Sequence, residues 1–115
     1  MQVLDINQAL ELVDGETDLL CSLLESFVNT KHFDRTQVES LVAQEKLDQA
    51  ASYVHYFKGA ARQLYAQECA AAGQALEDVL RKRTEGDIPS LTDAFEAAYG
   101  RALKAAGQAL NSLSQ

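Results

Sequence analysis

From Leu19 to Val28 the apolar residues Leu19, Leu20, Leu23, Leu24, Phe27 and Val28 recur at i, i+4 and i+8. That spacing draws one continuous stripe along the side of an α-helix. A similar period appears in Leu4, Ile6, Ala9, Leu10 and Val13, and in Ala50, Tyr53, Val54, Phe57, Ala61 and Leu64. It returns in Ala72, Ala75, Leu76, Val79 and Leu80, and once more in Leu91, Phe95, Ala98, Tyr99, Ala102, Leu103, Ala106 and Leu110. No segment alternates with the period of two that a strand requires. The expected fold is therefore all-α: an antiparallel four-helix bundle with a short additional N-terminal helix.

The breaks between stripes carry terminus signals. Asp5 suits the N-cap of the short first helix, and Gly15 in "DGET" suits its end, with Thr17 able to cap the next. The second stripe blurs at "NTKHFDRT" and resumes at Val38, Leu41 and Val42, which fits one long helix to about Gln44 or a kink near Asp34. A third helix begins near Leu47. A fourth is expected from about Gln67 to Arg83, with the basic "RKR" in its last turn opposing the negative helix end. In "TEGDIP", Gly86 suits a stop, Asp87 a cap and Pro89 the first turn of the last helix.

At 115 residues the chain is expected to form one domain, spanning 1–115. A formal net charge of −7 disfavours nucleic acid and anionic membrane surfaces, both of which need clustered Lys and Arg. Its field favours a partner with a basic or mixed docking face. Cys21 and Cys69, the two cysteines, sit in helical apolar stretches and read as small hydrophobes in a reducing compartment. With neither a signal-peptide pattern nor an apolar run of about 20 residues, a cytoplasmic protein is expected. Met1 and the polar end "NSLSQ" fit a free-standing chain, and nothing resembles an obligate dimer seam, so a monomer is expected.

The segment "YVHYFKGAARQL" concentrates the chemistry. On a helix, taking His55 as reference, Lys58 falls at about −60°, Gly59 at about +40°, Arg62 at about −20°, Ala51 at about −40° and Ser52 at about +60°. Tyr53 and Phe57 point about 160° away, toward the core. His55 is thus expected on the solvent face, among small residues and two cations. A neutral imidazole nitrogen is a nucleophile, and Lys58 and Arg62 would stabilise negative charge delivered to it. Gly59 costs about 0.5–1 kcal/mol within a helix, which close approach of another molecule would offset. His32, in "TKHFD", has no His or Cys at ligand spacing and reads as a surface histidine. Tyr56, beside His55, is placed to contribute to docking.

From Asp48 to Glu77 the chain resembles the histidine-phosphotransfer (HPt) domain family of multistep phosphorelays. That family's pattern runs Ala-His-x-Leu-Lys-Gly, then small residues, a Leu-Gly pair and a downstream Leu-Glu. Here "VHYFKGAARQLYAQECAAAGQALED" matches it at His55, Lys58 and Gly59 in spacing, at Phe57 before the lysine, at Ala60 and Ala61, at Leu64, and at Leu76 and Glu77. "ALELVDGETDLLCSLLESF" is similar to the family's opening. Tyr65 stands where the family usually has glycine, Gln63 where a small or polar residue is common, and Lys46 where an acidic residue or Asn is usual before the helix.

The resemblance implies a phosphorelay intermediate without enzymatic activity of its own. His55 would be the phospho-acceptor, taking the group from a receiver-domain aspartate through Nε2 and passing it to another. Lys58 would be the phosphate charge partner and Gly59 would give clearance. Arg62 is a further phosphate contact on geometry rather than on a family match. The chain would carry no cofactor of its own, with Mg²⁺ supplied by the receiver. The implied partners are response-regulator receiver domains and/or a hybrid sensor histidine kinase. Two rivals stand beside this: a helical interaction module whose histidine is never phosphorylated, and a metal- or cofactor-binding bundle.

Overall fold

The computed structural model describes residues 3–113, so Met1 and the last two residues of "NSLSQ" lie outside it. Helices run α1 Ile6–Leu12, α2 Thr17–Asn29, α3 Arg35–Ala43, α4 Leu47–Gln63, α5 Gln67–Leu80 and α6 Ile88–Leu113. Described residues contain no strand. The four long helices α2, α4, α5 and α6 make the bundle, and α1 and α3 are short additions at its side. Helix α5 packs closely between α4 and α6, and α6 packs on α2. The fourth side, between α2 and α4, is packed less closely. No described helix is long and apolar enough to cross a membrane.

The stretch left open between one long helix and a kink is a full break. The chain leaves the helical path at Thr30 and re-enters at Arg35. The reason is Phe33, whose ring inserts among Tyr53 and Phe57 of α4 and Phe95 and Tyr99 of α6, with centroids 4.7–6.2 Å apart. A helix running straight through would have carried that ring away from the core. Asp34 caps α3 by accepting from the Thr36 amide, while its own amide donates to the Tyr53 hydroxyl at 2.9 Å. Arg35 ties α3 to Asp93 and Glu96 of α6.

Caps at Asp5 and Asp87 are as expected: their carboxylates accept from the Gln8 and Ser90 amides at 3.1 and 3.0 Å. Thr17 is not a cap. Glu16 occupies that position with no side-chain bond, and Thr17 is already helical. The fourth expected helix also ends earlier, at Leu80, so "RKR" lies at and beyond the helix end and Gly86 does not terminate it.

Four helices close by one device. The amides of Gly15, Lys46, Ala66 and Arg83 donate back to the carbonyls of Leu10, Leu41, Ala61 and Asp78 at 2.7–2.9 Å. The residue before each, Asp14, Glu45, Tyr65 and Lys82, is left-handed at φ 54–63°. This is the Schellman closure, without the glycine that usually supplies the left-handed residue.

The core runs from Leu20, Leu24 and Phe27 through Val54, Phe57, Leu64, Leu76 and Leu80 to Phe95, Tyr99, Ala102 and Ala106. On α5 the inward face differs from expectation. Ala75 is exposed, while Cys69, Gly73, Leu76, Glu77 and Leu80 are buried. Gly73 explains the rotation: a Cβ there would lie 2.9 Å from Phe95 Cε1 and 3.0 Å from Lys58 Cβ. Without a side chain, α5 settles directly on the stem of Lys58 and the ring of Phe95.

Candidate functional site

Helices α4 and α5 are joined by the tight closure at Leu64–Ala66 and lie antiparallel. Three residues forward along α4 is therefore three back along α5: His55 faces Glu77, and Lys58 faces Gln74. This register brings three charged or titratable groups together.

His55 stands where expected, its side chain 60 % exposed. Lys58 does not. Its residue is only 4 % exposed, and Ala51 is fully buried. Both lie on the flank of α4 at negative angles from His55, and that flank is covered by α5. On the opposite flank Ser52 is exposed and Gly59 half-buried. An added Cβ at Gly59 would meet nothing within 4 Å, so no described neighbour fills that space. Arg62 is exposed two turns on, about 10 Å along the axis, and takes no part in the contacts around His55.

The buried Lys58 ammonium donates to Glu77 Oε1 at 2.7 Å and to Gln74 Oε1 at 2.8 Å. Gln74 in turn donates from Nε2 to Asp78 Oδ1 at 2.8 Å, which fixes the direction of its amide. Glu77, 3 % exposed, also receives Arg81 Nε on Oε2 at 2.9 Å. Its third neighbour is His55 Nδ1, 3.1 Å from Oε1 and 3.2 Å from Oε2. Burial alone would raise the Glu77 carboxyl, but the hydrogen bonds from Lys58, Arg81 and His55 outweigh it and bring it down to about 2. Buried charges of opposite sign satisfy one another here, and no buried side-chain polar atom among the described residues lacks a partner.

The chemical consequence lies on the imidazole. A carboxylate only accepts, so the proton shared with Glu77 belongs to Nδ1. In the neutral ring the lone pair then resides on Nε2, which makes no hydrogen bond among the described residues. The result is a nucleophilic nitrogen at the surface with its tautomer held from behind.

Beside it, between α2 and α4, a groove is lined by Leu23, Phe27, Tyr56, Gly59, Ala60 and Gln63, with His55 on its rim. Tyr56 is 61 % exposed and stacks edge-on against Phe57 at 5.0 Å. His32 is exposed and bonds through Nε2 to the Val28 carbonyl at the end of α2. Among the described residues no group of three His, Cys, Asp or Glu side chains is placed to hold a metal ion. Both cysteines are free, and burial pushes the Cys69 thiol up to about 12.

Reading residues alone assigned Glu77, Gln74 and Arg81 no role beside His55. The one signal was Glu77 in the distal Leu-Glu pair; that it stands opposite His55, 22 positions on, is set by how α5 packs on α4.

No curated protein matches this sequence, and no solved structure does either. The family model for the Hpt domain matches residues 22–112, which take in α3 to α5, all of α6 but its last residue and the last eight residues of α2. With an exposed histidine inside that match, on a bundle of the family's all-helical kind, the chain belongs to the Hpt domain family.

Proposed function

We propose that this chain is a phosphoryl carrier of a phosphorelay, with His55 as its acceptor. Family membership supports phosphotransfer as such. The observation that carries the assignment to this residue is the ring's two-sided environment: Nδ1–H donated to Glu77, and Nε2 free beside an open groove.

In this reading the donor is an aspartyl phosphate on a receiver domain. His55 Nε2 attacks phosphorus in line, the N–P bond forming as the aspartate O–P bond breaks, and the carboxylate leaves with the electron pair. Positive charge that develops on the ring is offset at once by Glu77 across Nδ1. Passing the group on is the reverse step, toward a second receiver aspartate. The receiver supplies Mg²⁺, and this chain supplies orientation and no catalytic turnover of its own. Lys58 acts as charge partner from beneath the surface, through its ion pair with Glu77, and Gly59 leaves the clearance a docking receiver needs. Arg62 takes an outer position, within reach of a partner rather than of the ring. The partners are receiver domains and/or a hybrid sensor kinase, met by a cytoplasmic monomer.

Incubation with phosphorylated receiver domains tests this. Wild-type chain should gain acid-labile, alkali-stable phosphate, and His55→Gln should gain none while keeping its helicity. Equal labelling of His55→Gln, or no labelling of the wild type by any receiver, would contradict the assignment.

A further inference from the structure

Glu77 has two oxygens and three donors. Oε1 takes Lys58 at 2.7 Å, and His55 Nδ1 lies almost evenly between both oxygens at 3.1 and 3.2 Å. The terminal torsion of a glutamate is soft, so Lys58 alone would leave the carboxylate free to turn about its own axis. A turned carboxylate presents a different edge to the imidazole. What prevents this is a second anchor on the other oxygen: Arg81 Nε on Oε2 at 2.9 Å.

The two anchors are built differently. Lys58 is buried and held by Gln74, itself held by Asp78. Arg81 comes from the C-terminal end of α5, one turn beyond Glu77, with its side chain 27 % exposed. A cation there is also favoured by the negative end of the helix, which helps keep the guanidinium in place. Its Nε–H can reach back along the helix to the carboxylate without crossing the ring, so it touches neither Nε2 nor the groove.

We propose that Arg81 is a positioning residue for the transfer: by holding Oε2 it keeps the Glu77 carboxylate against His55 Nδ1, and so keeps the nucleophilic lone pair on Nε2. The effect on transfer rests on the carrier reading, whereas the effect on the ring does not. Arg81 does not touch the phosphoryl group; it acts through Glu77, and through Glu77 on the tautomer of His55.

Nitrogen NMR of the unphosphorylated full chain reads the tautomer directly. In the wild type the ring should carry its proton mainly on Nδ1. Arg81→Met should shift population toward the Nε2–H form, and transfer from a phosphorylated receiver should slow about fivefold, less than the full loss of a charge-assisted hydrogen bond because Arg81 acts on the ring only through Glu77. Arg81→Lys, which restores a cation able to reach Oε2, should recover most of both. Helicity should match the wild type in each variant. Wild-type tautomer populations in Arg81→Met would overturn the proposal, as would a wild-type transfer rate or an Arg81→Lys variant no better than Met. Because the NMR needs no partner, a wild-type chain that accepts no phosphoryl group would count against the carrier reading alone.

Discussion

The two flanks of α4 on either side of His55 are opposites. Toward α5 the surface is closed: Lys58, Gln74, Glu77 and Arg81 satisfy one another, and Gly73 brings the backbones together. Toward α2 it is open: Gly59 and Ala60 leave a groove floored by Leu23 and Phe27, with Tyr56 at its edge. Each flank has its glycine, and the two do different jobs. Gly73 is there because a neighbour fills the space a side chain would need. Gly59 has nothing in that space at all. The closed flank prepares the nitrogen facing it, and the open flank gives the other nitrogen access. An imidazole on a uniformly solvated helix would have neither.

The closed flank should break most severely when its central anion is lost. Glu77→Ala leaves Lys58 buried without a counter-charge, which should destabilise the fold by about 3 kcal/mol in urea unfolding. Lys58→Met in the same background should return part of that stability, because the stranded charge is gone.

Acid probes the same group more gently. The Glu77 carboxyl titrates at about 2 in the fold against 4.5 ordinarily, so the unfolded chain takes up this proton first as pH falls. Its stabilisation is therefore complete above about pH 4.5 and is lost as pH falls toward 2. The acid-side fall in unfolding free energy should be shallower in Glu77→Gln. An unchanged profile would mean that this carboxyl is not held as described.

The glycines sharpen the contrast, because the same substitution should act with opposite sign. Gly73→Ala drives a methyl group into Phe95 and Lys58 and should cost about 1–2 kcal/mol. Gly59→Ala adds a methyl group to open space within a helix and should stabilise by about 0.5–1 kcal/mol. If clearance is its role, that more stable variant should also accept phosphate more slowly. Two destabilised variants, or a Gly59→Ala chain with unaltered transfer, would remove the distinction between the flanks.

Much of this architecture was legible in the residues. The stripes located the long helices, Asp5 and Asp87 marked two of the starts, and helical geometry put His55 at the surface. What stayed hidden depended on neighbours. Lys58 and Gly59 lie on either side of His55, and only the packing of α5 decides which flank is covered. The inward face of α5 turned on Gly73, whose importance comes from the ring of Phe95 on the neighbouring α6. Phe33 sat in a polar stretch with no period, yet its ring closes the core and breaks α2 from α3. Helix ends at Asp14 and Lys82 lacked the usual glycine, so the first was assigned to the nearby Gly15 and the last was placed late, at "RKR". Tyr65 also occupies the family's glycine position, and its left-handed backbone shows why a glycine suits that place.

The account turns on which ring nitrogen is available. Phosphorylated protein, prepared from a receiver donor and studied by combined phosphorus and nitrogen NMR, reports the bonded atom directly. Phosphorus coupled to Nε2 of His55, with a proton retained on Nδ1, is the result expected. Phosphate on Nδ1, or on any residue other than His55, would contradict the account.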